Sequence, residues 1–195
     1  MPRDLFQNRF LIPSARAAWH DYNGGIYFVT ICTAGREHFF GEITNGEMRL
    51  SEIGRYTDEQ IRSVVAHYPY AKIPLWVVMP NHVHAIVVID GDNVPYERRQ
   101  STKITDATCR DAARHVSTTD MPENHRNIAN MQGWLSVVIG GLKSSVTKFA
   151  NQNNIPFAWQ TRFHDHIIRH TDEMNRIAEY IETNVLRWES DEFYG

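Results

Sequence analysis

The chemical reading of this chain begins at Met79-Pro80-Asn81-His82-Val83-His84. Side chains alternate faces along a strand, so His82 and His84 point one way and Val83 the other. Two imidazoles so placed can chelate one divalent ion, and Pro80-Asn81 breaks the ladder where a ligand needs room. In isolation, an HxH pair equally describes two surface or hydrogen-bonded histidines. Here it runs into the apolar stretch Ala85 to Ile89, where an unpaired buried imidazole is costly, which favours the metal reading. A second HxH, His164-Asp165-His166 with His170 after it, lies in a more polar segment flanked by Arg162 and Arg169. A surface hydrogen-bond network or a phosphate contact is the simpler reading there. Tyr180 and Asn184 stand at i and i+4, which places them on one helix face about 5–6 Å apart at Cβ. A lone tyrosine on an amphipathic helix is a core residue by default. Beside an ion held by His82 and His84, its phenol becomes a candidate nucleophile and Asn184 a third, oxygen ligand.

The elements that must position these groups can be read from the pattern. Ile26 to Thr33 is β-branched and aromatic, a buried strand. Phe39–Thr44 and Glu47–Ser51 flank Asn45-Gly46, a hairpin turn signal. Ser51 can cap a helix carrying Ile53, Ile61, Val64 and Val65 as far as His67. Pro69 and Pro74 bracket a connection to two strands, Leu75–Met79 and His82–Ile89. Residues 90–130 have no usable period and read as a long surface insertion, partly mobile. Trp134 to Phe149 keeps one apolar helical face. A strand is expected within Phe157–Arg169, then a helix from Asp172 to Trp188 with Thr171 as its cap. This order predicts one α+β domain over residues 1–195, a ferredoxin-like antiparallel sheet carrying helices.

The chain has 195 residues, with 20 Lys and Arg against 23 Asp and Glu, a formal charge of −3. The deficit resides in the last seven residues, which hold Glu189, Asp191 and Glu192 and no base. The body is therefore neutral and neither supports nor excludes a nucleic-acid partner. The plain reading of the acidic tail is a frayed, solvated terminus; the alternative is acids that repel DNA or cover the site when it is empty. Cys32 and Cys109 read as free thiols in a reducing cytosol, and no signal peptide or membrane span is evident, so a cytoplasmic protein is expected.

Several segments in this order resemble the HUH single-tyrosine transposases, in their REP-associated tyrosine transposase branch. They are Ile26 to Thr33 with Arg36, Val77 to His84, Lys143-Ser144 with Thr147-Lys148, Trp159 to Arg169, and Tyr180-Ile181-Glu182-Thr183-Asn184. The resemblance implies cleavage and rejoining of single-stranded DNA at hairpin-bearing sites. His82 and His84 would bind Mg²⁺ or Mn²⁺, and Asn184 would complete the metal site. Tyr180 would attack the scissile phosphate to give a 5′-phosphotyrosine link and a free 3′-hydroxyl. The family commonly has Asn-Pro where this chain has Asn184-Val185, which bears on how the helix ends. A monomer and a homodimer are both compatible with the resemblance.

Phosphate contacts need local cations, and bases stack on aromatics. Lys143 and Lys148 lie about 140° apart round a helix and form no single stripe. Arg162 and Arg169, near Trp159 and Phe163, are the better candidates for DNA contact, against a solvated cationic face with Trp159 in the core. Two alternative functions stay open, the first of them on the same fold. One is a catalytically silent DNA- or RNA-binding regulator. The other is a hydrolytic metalloenzyme using His82, His84, a carboxylate and bound water.

Overall fold

The computed structural model describes residues 24–94 and 121–194, together with two short backbone pairs, β1 (Leu5–Phe6) and β2 (Phe10–Leu11). Strand β3 (Gly25–Cys32) enters the main sheet, and a hairpin of β4 (Gly41–Thr44) and β5 (Glu47–Leu50) follows. Helices α1 (Glu52–Arg62) and α2 (Val64–His67) lead to β6 (Ala71–Val78) and β7 (His82–Ile89). After α3 (Met121–Gln152) come β8 (His164–Ile168) and α4 (Thr171–Thr183). The four-stranded sheet has the order β6-β7-β3-β8 with every neighbouring pair antiparallel. With α1 and α3 as its two crossovers, this is the expected α+β, ferredoxin-like arrangement. No helix among the described residues is long and apolar enough to cross a membrane.

Strand alternation divides the molecule into two layers of contact. Tyr27, Val29 and Ile31 of β3 join Val83, Ala85 and Val87 of β7 against Leu135, Val138, Leu142 and Val146 of α3. The opposite face carries Ile26, Phe28 and Ile86, which pack on Ile177 and Ile181 of α4. His82 and His84 fall in phase with Ile86 and so face the α4 side, as period 2 demands. Register fixes their neighbours: His84 lies opposite Thr30 and His82 opposite Cys32.

Local chemistry explains most boundaries. Asn45 and Gly46 take φ of 56° and 75°, the left-handed pair a two-residue hairpin turn requires. Ser51 Oγ accepts the Gly54 N–H at 3.1 Å, capping α1 as expected. Gly54 lets α1 approach the hairpin closely, because a Cβ there would sit 2.1 Å from the Phe40 carbonyl oxygen.

Four expectations need correction. Pro74 lies inside β6, which begins at Ala71; a register shift between Lys72 and Leu75 absorbs the missing N–H. Residues 121–130, read as part of the insertion, are helical and form the start of α3, which breaks at Gly133 (φ 75°, ψ 167°). The remainder of the insertion, 95–120 with Cys109, lies outside the described residues. The cap of α4 is His170, not Thr171. The helix also stops at Thr183: the Asn184 N–H turns to the Ile181 carbonyl, three residues back, and a 3-10 segment Val185–Ser190 follows.

Candidate metal and tyrosine site

The site forms where the start of β7 meets the end of α4. His82 and His84 are buried, at 0% and 1% exposure, with ring centroids 4.4 Å apart. Each imidazole has a neighbour at Nδ1; His84 Nε2 meets Tyr180 of α4, and His82 Nε2 is buried without a protein partner. The Asn81 amide is oriented by its own partners: Nδ2 donates to the Phe193 carbonyl at 2.9 Å and to the Arg36 carbonyl at 3.3 Å. That leaves Asn81 Oδ1 to accept from His82 Nδ1 at 2.8 Å, which places the His82 lone pair on Nε2. Thr30 Oγ1 lies 2.9 Å from His84 Nδ1, and its hydroxyl can serve either tautomer of that ring while holding the ring's orientation. Burial, and secondarily the Arg36 charge, holds the His82 imidazole down to about 3 from its usual 6.5. His84 is held well below that value by burial and then by His82. Both rings are neutral at physiological pH, the form that ligates a metal.

Tyr180 reaches this pair from α4. Its Oη lies 3.2 Å from His84 Nε2 and donates to Asp191 Oδ2 at 3.3 Å. Phe28 supports the phenol edge-on at 6.2 Å and stacks on His84 at 5.2 Å. Burial first, and the Asp191 carboxylate second, raise the phenol above its usual range, so Tyr180 stays protonated. One turn on, buried Asn184 donates from Nδ2 to Asp191 Oδ2 at 2.8 Å. Two buried polar atoms here have no protein partner, His82 Nε2 and Asn184 Oδ1. Orphaned acceptors are rare in folded proteins, and a cation is the natural partner for a lone pair on each. The residues therefore fit a divalent ion. A cavity of about 530 Å³ opens beside them, lined by Phe28, Thr30, His164, Tyr180 and Arg187 among others.

The acidic tail is the main surprise. The plain reading made it a frayed terminus, yet Trp188 and Phe193 are buried against the site. The Phe193 ring sits 4.6 Å from that of His82, and the Arg36 guanidinium lies 5.3 Å over Phe193. Arg36 Nη1 also donates to the Glu192 carbonyl at 3.1 Å. Asp191 is thereby carried to Tyr180 and Asn184. Donor atoms of His82, His84 and Asp191 all lie within 4.8 Å of one another, the one such group among the described residues. Charge counting missed Asp191 because it treated the tail as a sum. The aromatic residues Trp188, Phe193 and Tyr194 were the available signal, since a solvated terminus has no use for three.

The cationic and aromatic candidates for DNA contact are scattered. Lys143 Nζ donates to the Gln160 carbonyl at 2.6 Å, and burial lowers its ammonium below the usual value. Trp159 donates back to the Lys143 carbonyl at 3.1 Å and packs between Phe40 and Phe157. The two form a tie that fastens the 159–161 segment to α3. Lys148 is exposed on α3 in a shallow depression with Ser144 and Gln152. Arg162 and Arg169 are exposed, and none of these five residues lines the cavity beside Tyr180. In the second HxH, His166 pairs with Glu173 at 2.7 Å. His164 instead lines the cavity. Cys32 is buried, and burial pushes its thiol up to about 11, so it is inert.

No family model matches the chain. An uncharacterized protein of Haemophilus influenzae is 29% identical over 188 residues, spanning 93% of this chain and 92% of its own. Among solved structures, a REP-associated tyrosine transposase bound to a REP hairpin superposes with a TM-score of 0.47 at 18% identity. That match covers 89% of this chain and 74% of the transposase. A crystal structure of a putative transposase from Deinococcus radiodurans R1 gives a TM-score of 0.36 at 11% identity, over 86% and 95% of the two chains.

Proposed function

We propose that this chain is a metal-dependent single-stranded DNA endonuclease and strand transferase of the HUH single-tyrosine type. The observation that carries the reading is the phenol of Tyr180, 3.2 Å from the inward nitrogen of His84, beside a His82 nitrogen buried without a partner. His82 and His84, with Asn184 Oδ1 as a third donor, would hold Mg²⁺ or Mn²⁺. The ion would supply positive charge to the non-bridging oxygens of a phosphodiester and to the developing negative charge. DNA as the substrate rests on the order of motifs in the sequence, from the β3 strand through HUH to the Tyr-Asn helix. Single-stranded or hairpin DNA is the proposed partner, and the cytoplasm the proposed place of action.

The residues divide the work. Thr30 and Asn81 engage the two Nδ1 atoms, which would leave both Nε2 atoms available to an ion. Phe28 and His84 hold the phenol in one orientation. The phenolic oxygen would attack phosphorus as its proton passes to the Asp191 carboxylate 3.3 Å away, the bond to the 3′-oxygen would break, and that oxygen would take up a proton from solvent, giving a 5′-phosphotyrosine and a 3′-hydroxyl. The exchange of one ester for another keeps the bond energy for rejoining, so strand transfer needs no further cofactor. Lys143, Lys148, Trp159, Arg162 and Arg169 are the proposed DNA contacts. Of these, exposed Lys148, Arg162 and Arg169 are better placed to meet a backbone than the internally tied Lys143 and Trp159.

The test uses hairpin-bearing single-stranded DNA labelled at its 3′ end, with Mn²⁺. Wild type is expected to produce a labelled species covalent to protein, and Tyr180→Phe none. Cleavage by Tyr180→Phe at the wild-type rate sinks the nucleophile assignment. One observation favours a second reading: Asp191 provides a carboxylate beside the histidine pair. A metal-bound water could then be the nucleophile. Metal-dependent turnover that survives loss of Tyr180 would mark that outcome, and DNA binding with no adduct would mark a silent regulator.

A further inference from the structure

We propose that Asp191 is itself a ligand of the ion, an anionic donor brought into the site by the strap Val185–Tyr194, so that metal binding and strap closure are one event. The inference rests on the metal site proposed above and deepens it. His82, His84 and Asn184 are three neutral donors. A doubly charged ion lodged among buried neutral groups lacks a compensating charge, and Mg²⁺ and Mn²⁺ favour carboxylate oxygen over imidazole. Asp191 is the carboxylate within reach. Its oxygen and the two imidazole nitrogens lie within 4.8 Å of one another. Two ligands each about 2.1 Å from a common ion stand at most about 4.2 Å apart, so a contraction of a few tenths of an ångström closes the set.

The carboxylate is also held as a ligand is held. Oδ1 accepts the Phe193 N–H at 2.8 Å, and Oδ2 accepts Asn184 Nδ2 at 2.8 Å. Asn184 thus steadies Asp191 through its nitrogen while its oxygen stays without a protein partner. The strap is fastened on its far side by Arg36 to the Glu192 carbonyl and by Asn81 to the Phe193 carbonyl. Asn81 is the side chain that also orients His82. One amide therefore sets both the first histidine and the segment that carries the acid, which links the two halves of the site mechanically. A tail present only to cover the site would need Phe193 and Trp188 but no carboxylate aimed between the imidazoles and the phenol.

The experiment is a titration of Mn²⁺ into the full chain without DNA, following loss of the free-ion electron paramagnetic resonance signal. Wild type should bind, His82→Ala should not, and Asp191→Asn should bind at least about tenfold more weakly. Equal or tighter binding by Asp191→Asn overturns the proposal and leaves the histidine site standing; tighter binding would identify Asp191 as a lock on the site. Failure of wild type to bind at all removes the metal reading together with this one. Because Asp191→Asn replaces an acceptor of three hydrogen bonds, a second measurement avoids substitution. Hydrogen–deuterium exchange of the wild-type segment 185–194 should slow on adding Mg²⁺, and an unchanged exchange rate overturns the coupling of ion to strap.

Discussion

Lowering the pH from 7 to 5 should destabilise the metal-free protein through its buried histidine pair. His82 is held near 3 by burial and by the Arg36 charge, against 6.5 when unfolded. The unfolded chain therefore takes up the proton first. The stabilisation is complete above the unfolded value, falls as the pH drops below 6.5, and levels off near 3. One pKa unit corresponds to about 1.4 kcal/mol, so 1.5 units of acidification below 6.5 cost about 2 kcal/mol from His82 at pH 5. His84, depressed by burial and by His82, adds to the loss in the same direction. A domain holds a margin of about 5–15 kcal/mol, so the effect consumes a visible share of it before most carboxylates titrate. The assay is urea unfolding followed by circular dichroism at pH 7, 6 and 5 with EDTA present. Wild type is compared with the His82→Gln, His84→Gln double variant, in which neither ring can be protonated. The wild type should lose at least about 2 kcal/mol more than the variant between pH 7 and 5. Parallel losses in the two proteins would refute the claim that these rings are buried and neutral.

Two further outcomes follow from the packing and from the imidazole supports. Gly54→Ala would set a methyl 2.1 Å from the Phe40 carbonyl oxygen, a rigid backbone atom, and should cost at least about 2 kcal/mol in urea unfolding. An unchanged midpoint would mean that α1 lies farther from the hairpin. Thr30→Val keeps the strand but removes the hydroxyl 2.9 Å from His84 Nδ1, so Mn²⁺ affinity should fall about 10–100-fold and the buried unpaired nitrogen should cost about 1–3 kcal/mol of stability. Wild-type affinity in that variant would show that His84 needs no such support.

The elements that read clearly from sequence were those in which one physical rule dominated. Alternation in Ile26–Thr33 and His82–Ile89 gave both strands and the shared face of the histidines, and Asn45-Gly46 gave the hairpin. Helical spacing placed Tyr180 and Asn184 together, and the structure has both touching Asp191. Boundaries failed where tertiary contacts compete with propensity. A register shift lets β6 run through Pro74, and α4 gives way to a 3-10 segment at Asn184, whose side chain is bonded to Asp191. For Asp191 the sequence offered only the alternative that the acidic tail covers the site, because the contacts of this one carboxylate depend on residues far away in sequence. Nothing near position 191 reveals that Asn81 and Arg36 will hold the backbone beside it.

The strap also sets a clock on the molecule's birth. Asn81 and Phe193 are 112 residues apart, and the contact between them cannot exist until the later one has been made. At about 5–20 residues added per second, the histidine strand precedes its closing partner by roughly 6–20 s on the ribosome. For that interval the nascent chain carries the histidines but neither the phenol held against them nor the carboxylate beside it. The histidine pair therefore acquires its third and fourth polar neighbours only when the last residues of the chain have been made.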